Sequence, residues 1–118
     1  TIGRVVLFHD AAVAPQGPPV ADVVAVSKRD LIAGTTLDGI GGFDCYGVVE
    51  DARTAARGEL LPMGIAGGCT LTCDVSQGTP LTYTNIDLPV GRLCDQLRQE
   101  QDAWLAQHCD QSAARTNK

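Results

Sequence analysis

Two stretches of the chain decide its fold: residues 29–37 read RDLIAGTTL, and residues 73–81 read CDVSQGTPL. At a constant offset, both follow the pattern D-[LV]-x-x-G-T-x-L, and each follows a strand-like segment, DVVAVSK or CTLT. The aspartate can cap a turn, the glycine supplies a positive φ, and the last leucine returns to the core. This repeat predicts a pseudo-twofold β structure made from two similar strand–turn–strand hooks.

The length and composition fit one globular domain. The chain has 118 residues, of which 44% are hydrophobic and 19% charged, and aromatic residues are few. A chain of this size buries enough surface to fold without disulfides, and its core has to be built from Val, Leu, Ile and Ala.

Outside the repeat, the remaining elements follow from hydrophobic periodicity and from Gly and Pro breakers. Residues 4–15 begin with a strand-like run, residues 20–30 and 43–51 are strand candidates, and residues 52–60 fit a short helix or a loop. A helix is predicted over residues 91–108, where Gly and Pro are nearly absent, and a disordered tail over 109–118. The predicted fold is therefore mainly β with a C-terminal helix, in one domain over residues 1–108.

The net charge limits the classes of partner, and the cysteine content indicates the cellular compartment. The net charge of −5 disfavours nucleic acid, which requires a basic face, and a continuous apolar run long enough to span a membrane is missing. The five cysteines, an odd number, are typical of reduced thiols in a cytoplasmic protein rather than of a secreted disulfide scaffold.

The repeat region resembles the SAF domain, the module of type III antifreeze protein and of sialic acid synthases. The segments are VAVSKRDLIAGTTLD and GCTLTCDVSQGTPLTYTNIDLP. The signature A-x-R-D-[IL]-x-x-G is matched by residues 26–31 and Gly34, with Val26 where the family has a small residue. This resemblance implies a β-clip fold with short strands and internal pseudo-symmetry.

A longer set of segments is similar to the C-terminal region of homoserine-dehydrogenase-like NAD(P)-dependent oxidoreductases. This family includes 1-deoxy-D-xylulose 5-phosphate reductoisomerase-like enzymes of isoprenoid synthesis. The similarity covers roughly residues 5–103 and includes KRDLIAGTTLDGIGGFDCYG, LLPMGIAGGCTL and LTYTNIDLPVGRLCDQLRQEQD. It implies that the Rossmann domain holding NAD(P) and the catalytic domain precede Thr1, and that this chain holds no cofactor itself.

The Gly-rich stretch GTTLDGIGGFDCYG, residues 34–47, raises the question of a phosphate-binding loop. It lacks both G-x-G-x-x-G opening a helix and G-x-x-x-x-G-K-[ST]. Two interpretations remain: a tight connection between β elements, or a loop whose backbone packs on the catalytic domain.

The candidate residues for contact with a ligand or a neighbouring domain surround this loop. They are Lys28, Arg29, Asp38, Gly41, Gly42 and Tyr46. Lys28 and Arg29, an adjacent basic pair, can attract a phosphorylated substrate or pair with Asp30 and Asp38 on a solvated rim.

A catalytic or metal site is not predicted. Cys69 and Cys73 would lie too far apart on a strand to share one zinc ion, and His9 and His108 lack a nucleophile signature. We therefore expect a non-catalytic domain that completes, covers or stabilises the active site of a parent oxidoreductase or its homo-oligomer. The alternative is a stand-alone module that binds a sugar acid or another small polar ligand.

Overall fold

The computed structural model describes residues 2–11, 13 and 17–113, with side chains as far as residue 107. Within these residues, four helices and four strands follow one another. They are α1 (Ile2–Phe8), β1 (Ala21–Ser27), β2 (Cys45–Asp51), α2 (Ala52–Arg57), α3 (Met63–Ala66), β3 (Thr70–Leu71), β4 (Ile86–Asp87) and α4 (Leu93–Ala113).

The described chain is a small mixed α/β domain with antiparallel sheets. β1 pairs with β2 over seven residues, with Val24 opposite Val48, and β3 pairs with β4 over two residues. Helices hold more of the described residues than strands do, so the expectation of a mainly β fold is too narrow. The C-terminal helix and the strands at residues 20–30 and 43–51 are confirmed.

The second edge of β1 is bonded to loops rather than to another long strand. The Ala25 N–H donates to the Leu61 carbonyl at 2.8 Å, and the Ala25 carbonyl accepts from the Leu81 N–H at the same distance. Leu61 in turn donates to the Leu81 carbonyl at 2.8 Å. Strand β1 therefore lies in the middle of the domain, bonded on both edges.

The core is small and aliphatic, as the composition predicts. Its buried members come from β1, from the two repeats and from the segments between and after them: Ala25, Leu31, Leu37, Cys45, Leu61, Met63, Ala66, Cys69, Leu71, Val75, Leu81 and Ile86. Among the aromatic side chains of the described residues, only Tyr83 packs against this cluster, from its rim.

The two repeats cross each other through reciprocal hydrogen bonds. Leu31 and Val75 exchange two backbone hydrogen bonds, each 2.8 Å long. The Asp74 carboxylate accepts from the Ala33 N–H at 2.8 Å, and the Asp30 carboxylate accepts from the Gln77 N–H at 2.7 Å. Each of these hydrogen bonds in one repeat thus has its counterpart in the other repeat.

The same symmetry continues beyond the crossing. The Gly34 N–H donates to the Leu71 carbonyl at 2.8 Å, and the Gly78 N–H donates to the Ser27 carbonyl at 2.9 Å. Both glycines have a positive φ, 85° and 78°, which an L side chain rarely adopts. The internal repeat found in the sequence is therefore present in the hydrogen-bond pattern of the domain.

The N-terminal segment differs from the prediction. Its β-branched run suggests a strand, but residues 2–8 form helix α1, none of whose side chains is buried. A strand needs a neighbour to satisfy its backbone groups, whereas a helix satisfies them locally. The described residues offer this segment no strand partner, and the helix results.

Helix α4 begins two residues later than predicted and extends five residues further, to Ala113. The first part of the segment expected to be a disordered tail is therefore helical, and residues 114–118 lie outside the described residues. The side chain of His108 also lies outside them.

The two repeat aspartates should contribute equally to stability. Asp30→Ala and Asp74→Ala each remove one acceptor from a backbone N–H, so each should lower the unfolding free energy by about 1 kcal/mol. Urea denaturation of the two variants tests this. Asp30→Asn, which keeps an acceptor oxygen, should lose clearly less; equal losses for Asp30→Ala and Asp30→Asn would show that the charge, not the hydrogen bond, matters.

Candidate functional site

The Gly-rich loop is closed around the carboxylate of Asp38. Its Oδ2 accepts from the Phe43 N–H at 2.5 Å, and its Oδ1 accepts from the Asp44 N–H at 3.2 Å. These bonds lower the pKa of Asp38 below its usual value, with the Phe43 N–H as the largest cause. The backbone donors of this loop are thus directed at an anion that belongs to the protein.

Gly42 is required by this arrangement because of space. A Cβ atom at position 42 would overlap the carboxyl group of Asp38. The carboxylate can reach the two N–H groups only because this position has no side chain. Gly41, beside it, has a positive φ of 81° and has open space where a Cβ would lie.

Both residues of the predicted basic pair, Lys28 and Arg29, bond to the same loop. The Lys28 ammonium donates to the Gly42 carbonyl at 2.5 Å, and the Arg29 guanidinium pairs with the nearly buried carboxylate of Asp44 at 2.7 Å. The Asp44 side chain also accepts from the Asp38 N–H at 3.2 Å. We name Lys28, Arg29, Asp38, Gly42 and Asp44 the charged loop cluster.

The structure therefore brings together four of the six predicted contact residues. Gly41 lies on the same loop, whereas Tyr46 lies on β2 opposite Val26 and outside the cluster. Arg29 pairs with Asp44 rather than with Asp30 or Asp38. Asp44 was missed by the sequence analysis, although its position between Phe43 and the buried Cys45 marks the end of the loop.

The loop does not fit a nucleotide phosphate. It leads into strand β2 rather than into a helix, and the N–H groups of Phe43 and Asp44 already bond to a carboxylate. A second anion there would be repelled. The NAD(P) implied by the oxidoreductase resemblance would have to be held by residues other than these.

Gly42→Ala should disrupt the loop. The added methyl group displaces the Asp38 carboxylate from its donors, so the melting temperature should fall by a few degrees. The control is Gly64→Ala, in helix α3, where a Cβ meets open space and alanine favours helix. Differential scanning fluorimetry compares them; a loss for Gly64→Ala as large as for Gly42→Ala would contradict this reason.

The Asp38 carboxylate should make stability depend on acid pH. A folded-state pKa below the unfolded value gives stability that is present at neutral pH and is lost as pH falls through about 4 and below. Wild type should therefore exceed Asp38→Asn in stability at pH 7, and the difference should shrink in acid. Urea melts across this pH range measure it; a difference that grows in acid would contradict the prediction.

Three loops meet beside the charged loop cluster. The backbones of Gly39 and Gly67 approach so closely that a Cβ on Gly39 would lie 3.0 Å from the Gly67 Cα. Gly68 faces Pro89, whose ring would lie 3.6 Å from an added Cβ. Residues 39–43, 67–68 and 89–93 thus form one edge of the domain, which we name the loop edge.

The loop edge exposes apolar side chains. Ile40 is 77% exposed and Phe43 is 82% exposed, and Val90 and Leu93 are also largely exposed. An exposed apolar residue by itself is ordinary, but several from adjoining loops are typical of an interaction surface.

Arg92 fixes the start of helix α4 to this edge. Its guanidinium donates to the carbonyls of Gly67 and Ile65, at 2.5 and 3.0 Å. It also forms a two-point pair with the largely buried carboxylate of Asp95, at 2.7 and 2.8 Å. Asp95 raises the pKa of Arg92. Sequence reasoning missed this pair, whose only signal is an Arg three residues before an Asp in a helix.

A shallow cleft lies further along α4. It has a volume of about 240 Å³ and is lined in part by Ile65, Tyr83 and Arg98. The Arg98 guanidinium pairs with Asp22 at 2.6 Å and with Asp102 at 3.1 Å. The cation that would attract an anionic ligand is already neutralised by two carboxylates.

The two cysteines considered for zinc differ in burial. Cys69 is buried, donates to the Ile65 carbonyl at 3.2 Å, and has a pKa raised by burial, whereas Cys73 is exposed. Among the residues that the structure describes, no group of three His, Cys, Asp or Glu side chains is placed to hold a metal ion. Nor is any helix in the described ranges long and apolar enough to cross a membrane.

No protein-family model matches this chain, and a search of curated proteins finds no significant relative. The case for a function therefore depends on the site geometry and on the resemblance stated from the sequence.

Proposed function

We propose that the chain is a non-catalytic accessory domain that docks on a neighbouring domain through its loop edge. The observation that carries this proposal is the contrast between charged and apolar groups there. The charged groups of the cluster are all bonded within the domain, Arg29 to Asp44 and Lys28 and Asp38 to backbone groups, while Ile40 and Phe43 are left exposed. Such a surface is suited to an apolar protein partner more than to a charged small molecule.

The proposed fold is the β-clip of the SAF domain. It is supported by the reciprocal hydrogen bonds of the two repeats and by the short strands between long turns. The proposed parent is a homoserine-dehydrogenase-like NAD(P)-dependent oxidoreductase, on the strength of the motif similarity over residues 5–103. In that parent, the loop edge would pack on the catalytic domain and complete, cover or stabilise its active site.

A cytoplasmic location belongs to the same proposal. Four cysteines within the described ranges, Cys45, Cys69, Cys73 and Cys94, are free thiols. Free thiols persist in the reducing cytoplasm.

A small polar ligand, such as a sugar acid, is the second candidate, and the Arg98 cleft is the place for it. A second, more open cleft of about 490 Å³ also borders Arg98, on the side of Val23 and Val49. Because both clefts share the same cation, and Arg98 is already paired with two carboxylates, docking is the better supported function. Calorimetry with a panel of sugar acids and sugar phosphates tests the alternative.

The experiment for the docking proposal compares the full parent chain with a form that ends just before Thr1. NADPH oxidation in the presence of 1-deoxy-D-xylulose 5-phosphate is the readout. We expect activity in the full chain, loss of it in the shortened form, and recovery when the 118-residue chain is added separately. Equal activity without this domain would leave it a role in stability or assembly only.

Phe43→Ser and Ile40→Ser should weaken association of the added chain with the shortened parent by about tenfold or more, since each removes a large apolar contact. Ile32→Ser is the matched control, because Ile32 is 71% exposed in a repeat turn away from the loop edge. Isothermal titration calorimetry measures the affinities. Equal losses for all three variants would place the interface elsewhere.

A further inference from the structure

Within the described residues, strand β2 is hydrogen-bonded along one edge only, to β1. The ladder is flanked by bonds from the Lys28 N–H to the Asp44 carbonyl and from the Ala52 N–H to the Val20 carbonyl, at 2.8 and 3.0 Å. In an antiparallel pair, hydrogen-bonded residues alternate, so the even-numbered residues of β2 face β1. The N–H and C=O groups of Gly47 and Val49 therefore point away from the domain.

This open edge has few of the protections that edge strands usually carry. Folded proteins cover such edges, or place charged residues, Pro or a bulge on them. Strand β2 contains neither Lys nor Pro, it pairs with β1 without a bulge, and its two charged residues, Glu50 and Asp51, lie at its C-terminal end. Val49 is 71% exposed, and Tyr46 and Val48 are partly exposed.

We propose that this edge binds β2 of a second copy of the chain, antiparallel and centred on Val48. In that register, Gly47 of each copy lies opposite Val49 of the other, and the two pairs can form four backbone hydrogen bonds. Two β1–β2 ladders then join into one four-stranded antiparallel sheet. The pairing is isologous and closes after two copies, so it does not continue into a fibre.

Charge selects the antiparallel orientation, in which two copies can pair without like charges meeting. Glu50 and Asp51 lie at one end of the strand. Antiparallel self-pairing places the acidic ends of the two copies apart, whereas parallel pairing would put like charges side by side, which destabilises a sheet. Glu50 of one copy then lies opposite Tyr46 of the other, whose hydroxyl can donate to the carboxylate.

The centre of the pairing is apolar. The two Val48 residues face each other in a non-hydrogen-bonded position, where side chains approach most closely. Because only one strand of each copy takes part, the contact is smaller than a standard interface of about 1,600 Å². We therefore expect a dimer that dissociates on dilution. This inference is independent of the docking proposal, which concerns the loop edge.

The experiment is sedimentation equilibrium of the 118-residue chain over a wide concentration range. We expect the mass to rise from 12.4 kDa toward twice that value. A mass that stays at the monomer value at all concentrations overturns the proposal. It does so even if the monomer is then found to bind an extended peptide along the same edge.

Charge reversal at the centre identifies the interface. Val48→Lys and Val48→Glu should each be monomeric, because two like charges would meet across the axis. An equal mixture should form a heterodimer, which also shows that both variants fold. A mixture that stays monomeric while wild type dimerises overturns the proposed register.

Val49→Pro is a second variant that does not depend on charge. It removes the outward N–H of residue 49, a donor that the β1 ladder does not use, and should abolish the dimer. Val49→Thr keeps the N–H and should dimerise as wild type does. A dimer that persists in Val49→Pro overturns the proposal.

Discussion

The rest of the structure depends on the hydrogen-bonded crossing of the two repeats at Leu31 and Val75. A glycine turn follows the crossing in each repeat. The Gly34 N–H donates to Leu71, in the strand before the second repeat, and the Gly78 N–H donates to Ser27, in the strand before the first. The aspartates on either side hold the turns from outside, because each carboxylate accepts from a backbone N–H in the opposite repeat. Leu37 and Leu81 are then delivered into the core, where both are almost fully buried.

The position of the loop edge follows from this crossing. Once Leu37 is in the core, its carbonyl accepts from the Gly68 N–H at 2.8 Å, and this places residues 39–43 beside residues 67–68. The close approach of Gly39 and Gly67 is possible because neither carries a Cβ. Arg92 then bonds to the carbonyls of the same loop and brings the start of α4 to it. The surface proposed for docking is thus fixed by two backbone contacts and by the Arg92 side chain.

The sequence predicts the parts of this structure whose causes are local. The repeat could be recognised in the sequence because its aspartate, glycine and leucine recur at a fixed spacing. The helix over residues 91–108 could be predicted because Gly and Pro are absent from its interior. Helix α1 was mistaken for a strand because its β-branched composition gives no sign that a partner strand is missing. Asp44 was missed for a related reason, since its partner Arg29 lies 15 residues away along the chain. The role of Arg92 was missed because the Gly67 carbonyl, to which it donates, lies 25 residues away, although another of its partners, Asp95, is only three residues away.

The candidate site likewise has a part that the sequence predicts and a part that it does not. The sequence could point to the loop and its basic pair as neighbours, but not to the way in which their charges are used; their role as a contact region stays a prediction. Only the structure shows that Asp38 occupies the backbone donors and that Asp44 takes the guanidinium of Arg29. With these charges already bonded, the groups left to contact a partner are the exposed side chains of Ile40 and Phe43 and, within the described residues, the outer backbone edge of β2. Another protein surface can offer apolar area and backbone hydrogen bonds, which a small phosphorylated ligand cannot. These are the grounds on which assembly, rather than ligand recognition, is proposed for this domain.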